Sequence, residues 1–75
     1  MAVDVKMIMQ GALLANASVI ILAHNHPSGN INPSLEDRKL TEQVAEASKL
    51  FDIRVLDHLI VTSESFYSLS DNGYI

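Results

Sequence analysis

His24 and His26 flank a single asparagine, a Pro-Ser-Gly turn follows, and ten residues in all separate His26 from Asp37. Imidazole rings and a carboxylate are the side chains that hold divalent transition metals. The sequence contains no cysteine, so a metal site here has to use His, Asp, Glu or water. An extended strand puts residues i and i+2 on one face, so His24 and His26 at a strand end aim both rings at one point. Two imidazoles and a carboxylate make a tetrahedral zinc set with one position open for water, the catalytic pattern. Water on such a zinc loses its proton near pH 7, far more readily than bulk water does.

Each of these residues also has a plain structural reading. His-x-His pairs occur by chance on surface loops. Ser34-Leu35-Glu36-Asp37 has the Ser-x-x-acid form of a helix start, so Asp37 can serve as a cap that favours the helix dipole. Pro33, just before the cap, fits that reading. The letters His-Asn-His also evoke a class of nucleases, but there the three residues are dispersed through the fold, so the match is one of letters only. His58 reads as a core or sheet-edge histidine held by a hydrogen bond, with a fourth-ligand or supporting role as the alternative.

The elements that must position these side chains follow from periodicity. Residues 4–16 predict a helix with Asp4 as N-cap and Val5, Met9, Ala12 and Leu13 along one side. Gly11 costs that helix about 1 kcal/mol relative to Ala. Met7 and Met9 read as core filler. The unbroken apolar run at 18–24 predicts a strand covered on both faces, hence a central one. Residues 25–33 are loop chemistry throughout. Residues 34–51 give the clearest helix, with Leu40, Val44, Ala47 and Phe51 at helical spacing. A second strand is expected at 53–62, then a turn, a short strand at 66–69 and a final turn. The expected class is α/β (α+β), a small mixed sheet with two flanking helices. So small a sheet leaves raw edges, which predicts a homo-oligomer formed through them.

Bulk properties narrow the function. Seventy-five residues form at most one domain, with a core that is marginal without a metal or a partner. Nine acidic residues outweigh five basic ones, for a net charge of −4. The basic residues are scattered, so direct nucleic-acid binding is not supported. The apolar run at 11–23 is shorter than the roughly 20 residues of a membrane span, and lacks the basic flank of a secretory signal. A soluble, cytoplasmic protein is expected.

Taken together, His-x-His-Pro-x-Gly followed by Ser-x-x-Asp resembles the JAMM motif of the JAB/MPN metallopeptidase fold, which is cytidine-deaminase-like. "ALLANASVIILAHNHPSG", "PSLEDRKLT" and "LDHLIV" resemble its RadC branch more closely, over about Val5 to Gly73. The resemblance implies that residues 1–75 are one RadC-like domain, the C-terminal part of the full family domain. It implies Zn²⁺ held by His24, His26 and Asp37. Ser34 is the implied catalytic side chain, its hydroxyl stabilising the oxyanion of a tetrahedral intermediate, while Pro27 and Gly29 shape the loop. The implied reaction is hydrolysis of a peptide or isopeptide bond.

The sequence departs from the family in one respect. JAMM enzymes use a glutamate upstream of the His-x-His as general base, and no glutamate stands between Met1 and His24. Loss of such a group removes about 10²–10⁴-fold in rate. Metal binding with little hydrolysis is therefore expected. The competing functions are a non-catalytic interaction module of MPN type and the accessory role in DNA repair that the RadC label implies.

Overall fold

The computed structural model describes residues 4–75; the place of residues 1–3 in the domain lies outside the described residues. The element order is α1 (Val5–Leu14), β1 (Val19–Asn25), α2 (Leu35–Lys49), β2 (Arg54–Val61) and β3 (Phe66–Ser68). This is an α/β fold with a small three-stranded mixed sheet, as the periodicity predicts.

Helix α1 starts where Asp4, in extended conformation, accepts the Met7 N–H at 2.9 Å. It ends where Asn16 turns left-handed at φ 54°, a conformation asparagine tolerates. Ala17 N then donates to Ala12 O and Asn16 N to Leu13 O, which satisfies the last carbonyls in Schellman fashion. The inward stripe is Val5, Ile8, Met9 and Ala12. Leu13 and Met7, expected to be inward, are about half exposed.

Helix α2 stops at Lys49, earlier than expected, because Asp52 takes up a left-handed turn at φ 58°. Phe51 therefore falls beyond the helix and is exposed. The inward side of α2 is also shifted from the expected stripe. Its buried residues are Thr41, Val44 and Ser48, with Leu40 and Ala47 at the margin. Two polar residues can face inward because each has a partner. Ser48 donates to the Met9 sulfur at 3.6 Å, and Thr41 belongs to the network described below.

The sheet order is β1-β2-β3, with β1 parallel and β3 antiparallel to their shared neighbour β2. So β2 is the central strand, and β1 is an edge strand among the described residues. The expectation of a central β1 is corrected on this point. Only one face of β1 is covered: Ile20 is buried while Ile21 is 59% exposed. Met9, Ile20, Val44, Ile53 and Val55 form the core between the helices and the sheet. Full burial of a valine such as Val44 contributes about 1.5–3 kcal/mol.

One irregularity matters for the site. Ile20 pairs with Val55 but Ile21 pairs with Asp57, so Leu56 is an extra residue in β2. Such a bulge resets which residues face inward. Strict alternation from Val55 would turn Asp57 inward and His58 outward. With the bulge, Leu56 is exposed and His58 is 2% exposed, beside the core.

Candidate metal centre

His24 lies in the last turn of pleat of β1 and shares the covered face with Ile20 and Leu22. His26 follows the strand end, and its backbone N–H still donates to Val61 O at 3.0 Å. The ladder thus holds both histidines in i, i+2 alternation, as their spacing predicts. Gly29 then turns the chain at φ 84°, a conformation that favours glycine, and Gly29 N donates back to His26 O.

Asp37 arrives from the first turn of α2. Ser34 caps the helix, and a complete capping box ties the two residues: Asp37 N donates to Ser34 Oγ at 3.0 Å, and Ser34 N to Asp37 Oδ2 at 2.8 Å. The structural reading of Asp37 as a capping residue therefore holds. It does not exclude the metal reading, because the same carboxylate faces the histidines. His24 Nε2 is 3.1 Å from Asp37 Oδ1, and His26 Nε2 is 3.3 Å from Oδ2. One ligand atom from each of the three residues lies within 4.8 Å of the others.

The far side of each ring is occupied. His26 Nδ1 faces the Asn30 carbonyl at 2.7 Å, which can only accept, so Nδ1 carries the proton and Nε2 a lone pair. His24 Nδ1 faces His58 Nε2 at 2.8 Å. The two Nε2 atoms stand 2.8 Å apart beside the carboxylate. Two ring nitrogens and one oxygen, with no sulfur, suit zinc. The residues present fit such an ion.

Electrostatics agree with that arrangement. Burial alone would raise the Asp37 carboxyl. Hydrogen bonding from the Ser34 backbone and side chain, with the nearby His24 and His26, outweighs it and holds the group below the ordinary carboxylate range. Burial, reinforced by His24, pushes the His58 imidazole below its usual value, while Asp37 and Asp57 oppose the shift.

The structure thus brings together His24, His26 and Asp37, with Ser34 at the adjoining helix cap. His58 touches the cluster from behind His24 and does not join the three as a ligand. Thr41 was missed by sequence reasoning. Its signal was a threonine one helical turn after Asp37, on the side that packs inward.

Comparison with known proteins agrees with the motif. The RadC-like JAB domain model matches residues 1–74. A UPF0758 protein of Histophilus somni (strain 2336) is 48% identical over 68 residues, covering 91% of this chain and 31% of that protein. One from Flavobacterium johnsoniae is 42% identical over 71 residues, covering 95% of this chain and 31% of the relative. The UPF0758 protein YfjY of Escherichia coli (strain K12) is 46% identical over 68 residues, 91% of this chain and 42% of its own length. The chain belongs to the RadC-like JAB domain family. It spans about a third of the length of the first two relatives. No helix among the described residues is long and apolar enough to cross a membrane.

Proposed function

We propose that this chain is the metal-bearing part of a cytoplasmic JAMM-type hydrolase, holding one Zn²⁺ between His24, His26 and Asp37 and acting on a peptide or isopeptide bond. One observation carries the reading. Ligand atoms from a strand end, a loop and a helix start converge within 4.8 Å, and the far ring nitrogens of both histidines already have partners.

When bound, zinc supplies the Lewis acidity that brings deprotonation of water near neutral pH. The chain's own residues do the rest. The β1 ladder and the Asn30 carbonyl orient His26, and the capping box fixes Asp37. Ser34 Oγ accepts from Asp37 N, which leaves its single hydrogen to donate. A developing oxyanion and the Asp37 carboxylate compete for that hydrogen, and donation to the oxyanion is the proposed catalytic role of Ser34.

Proton transfer needs a further group. Among the described residues the cluster holds one carboxylate, that of Asp37, and no glutamate precedes His24 in these residues. A JAMM-type proton acceptor therefore has to reach the site from another segment or a partner. The same observation favours a second reading, a metal-bearing but non-catalytic module.

The two readings part in one experiment. The zinc-loaded 75-residue protein is assayed on peptide and isopeptide probes, beside the same residues placed in the corresponding position of a longer RadC-like relative. Very slow or undetectable cleavage by the first and zinc-dependent cleavage by the second supports the hydrolase. Cleavage by neither supports the module.

A further inference from the structure

Three buried or half-buried polar groups line up behind His24. Thr41 Oγ1 lies 2.8 Å from the Asp37 carbonyl oxygen and 2.6 Å from His58 Nδ1. His58 Nε2 lies 2.8 Å from His24 Nδ1. Thr41 and His58 are each 2% exposed, so neither exchanges these partners freely for water.

We propose that Thr41 and His58 are positioning residues that fix His24 in the tautomer with Nδ1 protonated, so that its Nε2 lone pair points to the metal. This inference rests on the zinc reading of the His24, His26 and Asp37 cluster.

The argument is a count of hydrogens. A carbonyl oxygen cannot donate, so the Asp37 contact takes the one hydrogen of the Thr41 hydroxyl. Were that hydrogen turned to His58 instead, two acceptor oxygens would face each other at 2.8 Å. Thr41 Oγ1 must then accept from His58, which places a proton on His58 Nδ1. His58 is 2% exposed and its ring nitrogens face a hydroxyl and an imidazole, with no carboxylate at either, so the ring is taken in its neutral form, which has only one N–H. His58 Nε2 is therefore an acceptor, and the atom that donates to it is His24 Nδ1. That leaves His24 Nε2 as a lone pair 3.1 Å from Asp37 Oδ1 and 2.8 Å from His26 Nε2, a set of facing acceptors that a shared cation reconciles.

The relay starts and ends in the same ligand set. Its first acceptor is the backbone carbonyl of Asp37 and its last donor is the ring of His24, so α2 and β1 are tied together through β2. The bulge at Leu56 makes this possible by turning His58 to the covered face. Hydrogen bonds to the non-ligating nitrogen of a metal-bound histidine hold its tautomer and orientation, and their removal costs about 10–100-fold in metal affinity.

The test combines ¹⁵N NMR of the histidine rings with zinc affinity measured by chelator competition, on the 75-residue protein. In the metal-free parent, His24 and His58 should both show the Nδ1–H tautomer. His58→Phe should weaken zinc binding about 10–100-fold and release His24 to a tautomer mixture. His58→Gln, whose side-chain oxygen can accept from His24 Nδ1, should recover most of the affinity. Thr41→Val should disturb the His58 tautomer while leaving a similar volume. A parent that binds no zinc but shows both Nδ1–H tautomers would defeat the zinc reading and keep the relay. A parent with His24 protonated at Nε2 would overturn the relay. So would unchanged zinc affinity in a folded His58→Phe protein. If His58→Phe does not fold, the parent tautomers and Thr41→Val decide the question alone.

Discussion

Asp37 and Ser34 exchange two hydrogen bonds across the start of α2, of 2.8 and 3.0 Å, and the Asp37 carboxylate faces both histidines at the same time. One side chain thus caps a helix and serves a ligand set, and substitutions can separate the two jobs. Asparagine keeps an oxygen for the Ser34 N–H but loses the charge. Asp37→Asn is expected to leave stability within about 0.5 kcal/mol while weakening zinc binding at least about tenfold. Asp37→Ala should lose zinc binding and also about 1 kcal/mol of stability. Urea unfolding and zinc titration of both variants check this. Parent-like zinc affinity in Asp37→Asn would reduce Asp37 to a cap.

A second carboxylate ties β2 to the chain beyond β3. Asp57 accepts from Ser68 Oγ, from Ser70 N at 3.0 Å and from the His58 N–H at 2.7 Å. Burial would raise its pKa, but these donors outweigh that effect and hold it below the ordinary carboxylate range. A carboxyl depressed in the folded state stabilises fully above its unfolded pKa, and that contribution is lost as pH falls through the folded value. Asp57→Ala is expected to destabilise the protein by about 2–3 kcal/mol at neutral pH. The gap to the parent should narrow as pH falls below the ordinary carboxylate range. Urea midpoints across pH measure it, and a gap independent of pH would contradict the assignment.

The outer edge of β1 has no strand neighbour among the described residues, and Val19 and Ile21 stand 45% and 59% exposed beside it. Open edges of this kind recruit further strands. The protein is expected to self-associate through this edge, and Ile21→Lys to shift it toward monomer. Sedimentation velocity at high micromolar concentration reads both. A well-folded monomer at that concentration would contradict the expectation.

Much of this arrangement is legible in the residues themselves. Alternation places His24 and His26 on one face, Ser-x-x-Asp marks the start of α2, and the run from Arg54 reads as a strand. What escapes the sequence is set by tertiary contacts. An unbroken apolar run does not say whether a second layer covers it, so β1 read as central although Ile21 faces outward. A bulge leaves no compositional mark, so nothing in "RVLDHLIV" shows that Leu56 is the extra residue or that His58 turns inward. Helical periodicity favoured Leu40 and Ala47 over Thr41 and Ser48. It counts hydrophobicity and cannot see the partners that let two hydroxyls be buried.

The central claim is that His24, His26 and Asp37 hold zinc, and metal content tests it most directly. The protein is stripped with a chelator, returned to excess zinc, desalted and measured by elemental analysis beside the His24→Ala/His26→Ala double variant. The prediction is about one zinc per parent chain and almost none in the folded double variant. Equal zinc in the two proteins, or none in the parent, would contradict it.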